Sequence, residues 1–191
     1  MVGYGRHLTQ ATALNRPTYK VGVQNSLAGL QFDGTKLIDS SDSLTQTPAT
    51  IIIAGKRGST VGITMGMFSA RDSVAGGARV GWNSSNQVNA SVTSPSASKT
   101  STATFAADTA FVAGFQSTGS LLYEIANSEF NSVSSAYSGS GSVFGIGRLN
   151  TNNSSSLYVG NIYEVLIYTS ALNSTDVSTL VTYLNTKWVL F

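Results

Sequence analysis

The chain of 191 residues contains no cysteine, one histidine, and 11 basic against 9 acidic residues, a formal net charge of +2. One domain is expected at this length, large enough to bury a core unaided, and the missing cysteines exclude a disulfide framework and thiolate metal sites. Only 10% of the residues are charged, against about 25% in an ordinary soluble domain, so the chain is too poor in positive charge to track phosphates and nucleic acid is excluded as a partner.

The opening residues, Met1-Val-Gly-Tyr-Gly-Arg-His-Leu, lack the apolar run of a secretion signal, and no stretch reaches the ~18 apolar residues of a membrane span. Synthesis in a cytoplasm without membrane insertion is the expectation. From residue 29 to residue 168 the hydrophobic pattern alternates with period two. Leu30 and Phe32 flank Gln31, and Asp33-Gly34 then offers a left-handed turn pair suited to joining two hairpin strands. Ile51, Ile52 and Ile53 form a continuous apolar run, which predicts a strand buried on both faces. Ile63, Met65 and Met67 alternate with Thr64 and Gly66, and Phe111, Ala113 and Phe115 with Val112 and Gly114. Leu121, Tyr123 and Ile125 repeat the alternation, as do Phe144 and Ile146. Many short strands with turn-rich connections and no helices between them predict an all-β, antiparallel two-sheet sandwich. Beyond Asn173 the period changes, because Val177, Leu180, Val181, Leu184 and Trp188 form a helical stripe. A short C-terminal α-helix over about 173–188 follows, capped by Asn173, with Asp176 at the positive end of its dipole.

Two blocks carry a family resemblance. The first is Gly5-Arg-His-Leu-Thr-Gln-Ala-Thr-Ala-Leu-Asn-Arg-Pro-Thr-Tyr19 followed by Gly29-Leu-Gln-Phe-Asp-Gly-Thr35. The second comprises Phe144-Gly-Ile-Gly-Arg148, Val159-Gly-Asn-Ile-Tyr-Glu-Val-Leu-Ile-Tyr168, Ala171-Leu172 and Tyr183-Leu-Asn-Thr-Lys-Trp188. Together they resemble the concanavalin A-like lectin/glucanase superfamily in its LamG-like branch. The resemblance implies one jelly-roll β-sandwich over residues 1–191 with the helix packed on it. It implies no activity, because this fold hosts enzymes, glycan binders and structural modules alike. Members of the family begin with a further strand beside the segment that here runs from 162 to 168. This chain starts too late to supply it, which makes Ile162, Glu164, Leu166 and Tyr168 the expected assembly edge. Residues 1–4, a strand of another subunit or a partner protein would cover that edge.

Candidate chemistry is sparse. A glycosidase needs two carboxylates about 5 Å apart across one bond; Glu124 and Glu129 are the nearest pair of glutamates, and their odd spacing would set them on opposite faces of a continuous strand. No catalytic residue is assigned. Glu164, in an apolar strand, is read as a structural hydrogen-bond partner. His7 is alone, and Asp33, Asp39, Asp42, Asp72 and Asp108 show no alternating ligand spacing, so neither metal nor other cofactor is expected. Glycan contact would need an exposed aromatic face beside amides. Trp82 with Asn83 and Asn86, and Tyr137 with Asn150, Asn152 and Asn153, are the two combinations available.

The resulting expectation is a non-enzymatic structural or adhesion protein of a bacteriophage virion, as capsid decoration, fibre or tail appendage. Its partners would be other virion proteins, copies of itself and host-surface glycans. A secreted or cell-surface carbohydrate-binding module is the alternative, and a glycosidase the third reading.

Overall fold

The computed structural model describes residues 8–44, 48–70, 77–93, 95–139, 142–149 and 156–191, without the side chains of 41–43 and 142. Its elements, in chain order, are β1 (Leu8–Thr9), β2 (Thr18–Gln24), β3 (Leu27–Asp33), β4 (Ile38–Leu44), β5 (Ala49–Arg57), β6 (Met65–Ala70), β7 (Ala78–Trp82), β8 (Val88–Val92), β9 (Ala97–Thr100), β10 (Ala110–Ser117), β11 (Leu121–Ala126), β12 (Glu129–Ser134), β13 (Ser142–Ile146), β14 (Val159–Tyr168) and α1 (Ser174–Trp188). They form two antiparallel seven-stranded sheets, ordered β1-β4-β13-β6-β7-β8-β9 and β12-β11-β10-β5-β14-β3-β2. This is the expected jelly-roll β-sandwich with its single C-terminal helix.

The second sheet is sandwiched between the first sheet and α1, which explains the unbroken isoleucine run of β5. Ile51 and Ile53 point inward to Phe68, Trp82, Phe111 and Phe115, while Ile52 and Ala54 point outward to Val177, Val181, Leu184 and Trp188. On β10 the expected alternation holds, with Phe111, Ala113 and Phe115 inside and Val112 under the helix. The parity on β11 is reversed: Leu122 and Ala126 face the interior, and Ile125 packs with the helix cluster. Ile63 precedes β6 and is exposed; a bulge between Gly66 and Phe68 lets Met65, Met67, Phe68 and Ala70 all enter the core.

The Asp33-Gly34 pair makes a turn but not a hairpin. Asp33 Oδ1 accepts from the Thr35 backbone N–H and hydroxyl at 2.9 and 2.6 Å, and Gly34 adopts φ +86°. The chain there leaves one sheet for the other, since β3 and β4 belong to different sheets.

The expected assembly edge is also revised. β14 lies inside its sheet, paired with β5 along its length and with β3 at residues 159–162. The β2–β3 hairpin thus supplies a neighbour from the chain itself. Only residues 164–168 keep β5 as their sole partner strand among the described residues. A bulge between Ile162 and Glu164 changes the facing, so that Ile162 joins the core whereas Leu166 packs toward the helix. Residues 1–4, one expected cover for this edge, lie outside the described residues.

Helix α1 begins as its sequence dictates. Asn173 Oδ1 accepts from the Asp176 N–H at 2.8 Å, satisfying one orphan donor of the first turn. Asn173→Ala should lower stability by about 1 kcal/mol, read as a shift in the urea midpoint with unchanged slope. The helix is locked down by Glu164, whose Oε2 accepts from Lys187 Nζ at 2.9 Å and Trp188 Nε1 at 2.8 Å. Tyr163, the extra residue of the bulge, stacks on Trp188 at 4.9 Å and 17°.

Candidate functional site

The two aromatic residues available as sugar platforms, Trp82 and Tyr137, are core residues. Trp82 is 1% exposed, packed against Phe105 and Phe111 at 5.1 and 5.0 Å with the Arg57 guanidinium 4.9 Å from its ring. Tyr137 is equally buried, and its hydroxyl pKa is pushed up to about 12 by that burial. Neither ring has a free face. Asn83 organises the β7–β8 turn, its Oδ1 accepting from the N–H groups of Ser85 and Gln87 at 3.0 Å each. Asn86, at φ +63°, uses Oδ1 to accept from Arg57 Nη2 at 2.8 Å and Gly62 N at 2.6 Å. Asn150, Asn152 and Asn153 lie outside the described residues, as do His7 and Asp72.

Glu124 and Glu129 share a face after all, because they stand on two paired strands rather than one. The register sets Glu124 opposite Asn131 and Ala126 opposite Glu129, and Asn131 Nδ2 donates to both carboxylates, at 3.3 and 3.0 Å. Glu129 is consumed as a clamp: it accepts from Thr102 N, Thr102 Oγ1 and Ala103 N at 2.7–2.8 Å. Burial raises its pKa, and these bonds more than offset that, leaving it below the ordinary value. Glu124 is 0% exposed, and burial pushes its pKa up to about 7. Its Oε1 has no hydrogen-bond partner among the described residues. Among the described residues no three His, Asp or Glu side chains gather where they could hold a metal ion.

A different surface offers free polar chemistry. On the outer face of the second sheet the register aligns Thr18, Gln31, Asn161 and Lys56 across β2, β3, β14 and β5. α1 covers Ile52 and Ala54 of that face; Lys56, the next outward position, lies in a cleft of about 320 Å³ that it lines with Gln31, Asp33, Asp108 and Asn161. The side chains of Gln31, Lys56 and Asn161 make no hydrogen bond with another described residue. Asp33 is held below the ordinary carboxylate pKa, first by the Thr35 hydroxyl bond, against a smaller opposing effect of burial. Arg57 also borders the cleft, but its guanidinium turns into the core toward the Phe105 carbonyl and Asn86. Close strand approach at the floor requires Gly160: at φ +141°, a Cβ there would collide with the Lys56 carbonyl and the Tyr158 hydroxyl. Two amides, one ammonium and two carboxylates thus converge on one concavity, a set able to donate to and accept from ligand hydroxyls. Their union depends on strand pairing between positions more than a hundred residues apart, which no local pattern carries.

No protein-family model matches the sequence, and comparison with curated proteins finds no sequence relative. Solved structures do resemble it. Domain 4 of AbnA, a GH43 extracellular arabinanase from Geobacillus stearothermophilus solved in complex with arabinotriose, matches with TM-score 0.68 at 17% identity, over 86% of this chain and 81% of that one. The heptameric SAP-like pentraxin of Limulus polyphemus matches with TM-score 0.61 at 13% identity, over 90% and 84%. Botulinum neurotoxin type C, in a study of its ganglioside-dependent cell entry, matches with TM-score 0.62 at 10% identity. There 95% of this chain covers 47% of the other. These likenesses define the fold, a jelly-roll β-sandwich.

Proposed function

We propose that the protein is a non-catalytic carbohydrate-binding module whose site is the cleft of Gln31, Lys56 and Asn161. The carrying observation is that these three polar side chains, in one concavity, are unpaired among the described residues, since hydroxyl-rich ligands need donors and acceptors not already committed to the fold. The cleft's side chains set two carboxylates, Asp33 and Asp108, against the ammonium of Lys56 and that of Lys36, which lies 3.7 Å from Asp33 Oδ2. That balance gives an anionic sugar no excess positive charge, so a neutral oligosaccharide is the ligand class. The arabinotriose bound by domain 4 of AbnA is a ligand of that class and the first to test. The non-catalytic reading rests on the two glutamates, one fully buried and one committed to three donors of a loop.

Calorimetric titration with neutral pentose and hexose oligosaccharides should give weak, saturable binding, with Asn161→Ala and Gln31→Ala each weakening it about tenfold. No reducing ends should be released. Binding unaffected by either substitution would contradict the assignment.

The setting we propose for this module is a bacteriophage virion, where it serves adhesion as decoration, fibre or tail appendage. The support is its surface chemistry: hydroxyl- and amide-rich, sparsely charged and without thiols. Co-purification with particles, detected by mass spectrometry, tests the setting. A secreted or cell-surface binding module is the second reading, favoured by the likeness to a domain of an extracellular arabinanase.

A further inference from the structure

One flank of the sandwich has both an apolar opening and apolar side chains that no other described residue covers. The opening, about 500 Å³, lies between the sheets and is lined by Leu8 of β1, Phe144 and Ile146 of β13, and Val165 and Ile167 of β14, with Tyr168, Thr169 and Ser170 at its end. None of these residues is charged. Along the opening, residues 164–168 of β14 pair on one side only, with β5, among the described residues. Leu8 also lines an adjoining cavity of about 370 Å³ together with Leu30 and Ile38 and with the polar Gln10 and Arg16. Beyond Leu30, its cross-strand neighbour Tyr19 stands on the edge strand β2 at 68% exposure, and Val21, two residues further, at 78%.

We propose that this flank is a two-fold interface between copies of this chain. The exposed Tyr19 and Val21 of each copy enter the opening above Val165 and Ile167 of the other. Three observations favour a second copy over another occupant. A lining whose described residues carry no charge offers little to a glycan or a nucleic acid and suits aliphatic and aromatic side chains. The protruding side chains and the recess that would take them occupy the same flank, the self-complementarity that a closed, isologous pair requires. β2 is also a sheet edge with a single basic residue, Lys20, so little charge repulsion opposes the approach of two such strands. A stable pair needs on the order of 800 Å² per partner, about a tenth of the 8541 Å² that the chain exposes.

The test is the molar mass of the full chain in solution, by light scattering across a concentration series, for wild type, Val21→Lys and Val61→Lys. Val61, an exposed apolar residue (42%) on the loop between β5 and β6, serves as the control. Wild type and Val61→Lys should be dimers at about 100 µM, and Val21→Lys should dissociate at least tenfold more readily, with unchanged circular dichroism and melting temperature. Tyr19→Lys repeats the test should Val21→Lys fail to fold. A wild-type monomer at that concentration overturns the proposal, whether the opening is then closed by residues 1–7 of the same chain or by a partner of other chemistry. A dimer that both Lys substitutions leave intact also overturns it, because the interface would then lie elsewhere.

Discussion

Trp188→Ala should lower the unfolding free energy by about 3–5 kcal/mol, the range for emptying a large buried aromatic site. The ring is 4% exposed and stacks on Tyr163, and its Nε1–H donates to Glu164 Oε2. The substitution therefore opens a cavity between helix and sheet and also removes one donor from a largely buried carboxylate. Trp188→Phe keeps part of the stack and loses the donor, so it should fall between wild type and alanine. Urea unfolding of the three proteins orders these effects. A loss below about 0.5 kcal/mol for alanine would mean that α1 is peripheral to the fold.

Glu124→Gln should stabilise the protein at alkaline pH. Folded, Glu124 keeps its proton up to about pH 7; its ordinary pKa is 4.5, and the cause of the rise is burial, with Glu129 adding to it and Asn131 and Lys99 opposing it. Between pH 4.5 and 7 the folded state binds the extra proton, so this group's stabilising contribution is complete below about 4.5 and is lost as pH rises through 7. A rise of this size corresponds to at most about 3 kcal/mol. Glutamine can still accept from Asn131 and never ionises. At pH 8 the variant should exceed wild type by about 1–3 kcal/mol, and at pH 4 the difference should shrink toward zero. A pH-independent difference would show that Glu124 does not titrate in this window.

The contrast between α1 and β14 shows what the sequence could reveal. The helix buries one stripe against one surface, so Val177, Val181, Leu184 and Trp188 carry the same message locally that the packing carries globally. On β14 a period-two reading puts Ile162, Glu164 and Leu166 on one face, but the bulge at Tyr163 separates them. A bulge has no hydrophobic signature of its own; its effect here is to aim both Tyr163 and Glu164 at the helix end. Glu164 itself was legible as a structural partner, because a carboxylate in an apolar strand must find donors.

The site was less legible than the fold. An aromatic beside loop amides reads the same whether the ring is displayed or buried. For Trp82 the outcome is decided by Arg57, Phe105 and Phe111, contributed from distant parts of the chain. Glu124 and Glu129 were placed on opposite faces by their spacing, and the tight Asn127 turn between β11 and β12 reversed that relation. Gln31, Lys56 and Asn161 look like ordinary solvent-facing positions one at a time, and only the pairing of β3, β14 and β5 makes them neighbours.

The central claim, that this cleft binds a neutral glycan, is most directly tested by following the side-chain amide resonances of ¹⁵N-labelled protein during titration with arabinotriose and with a sialylated oligosaccharide of similar size. The Gln31 and Asn161 NH₂ signals should shift in a saturable way with neutral sugar and remain in place with the anionic one. If no neutral oligosaccharide moves either signal, or if shifts cluster on another face of the sandwich, the cleft is not the binding site.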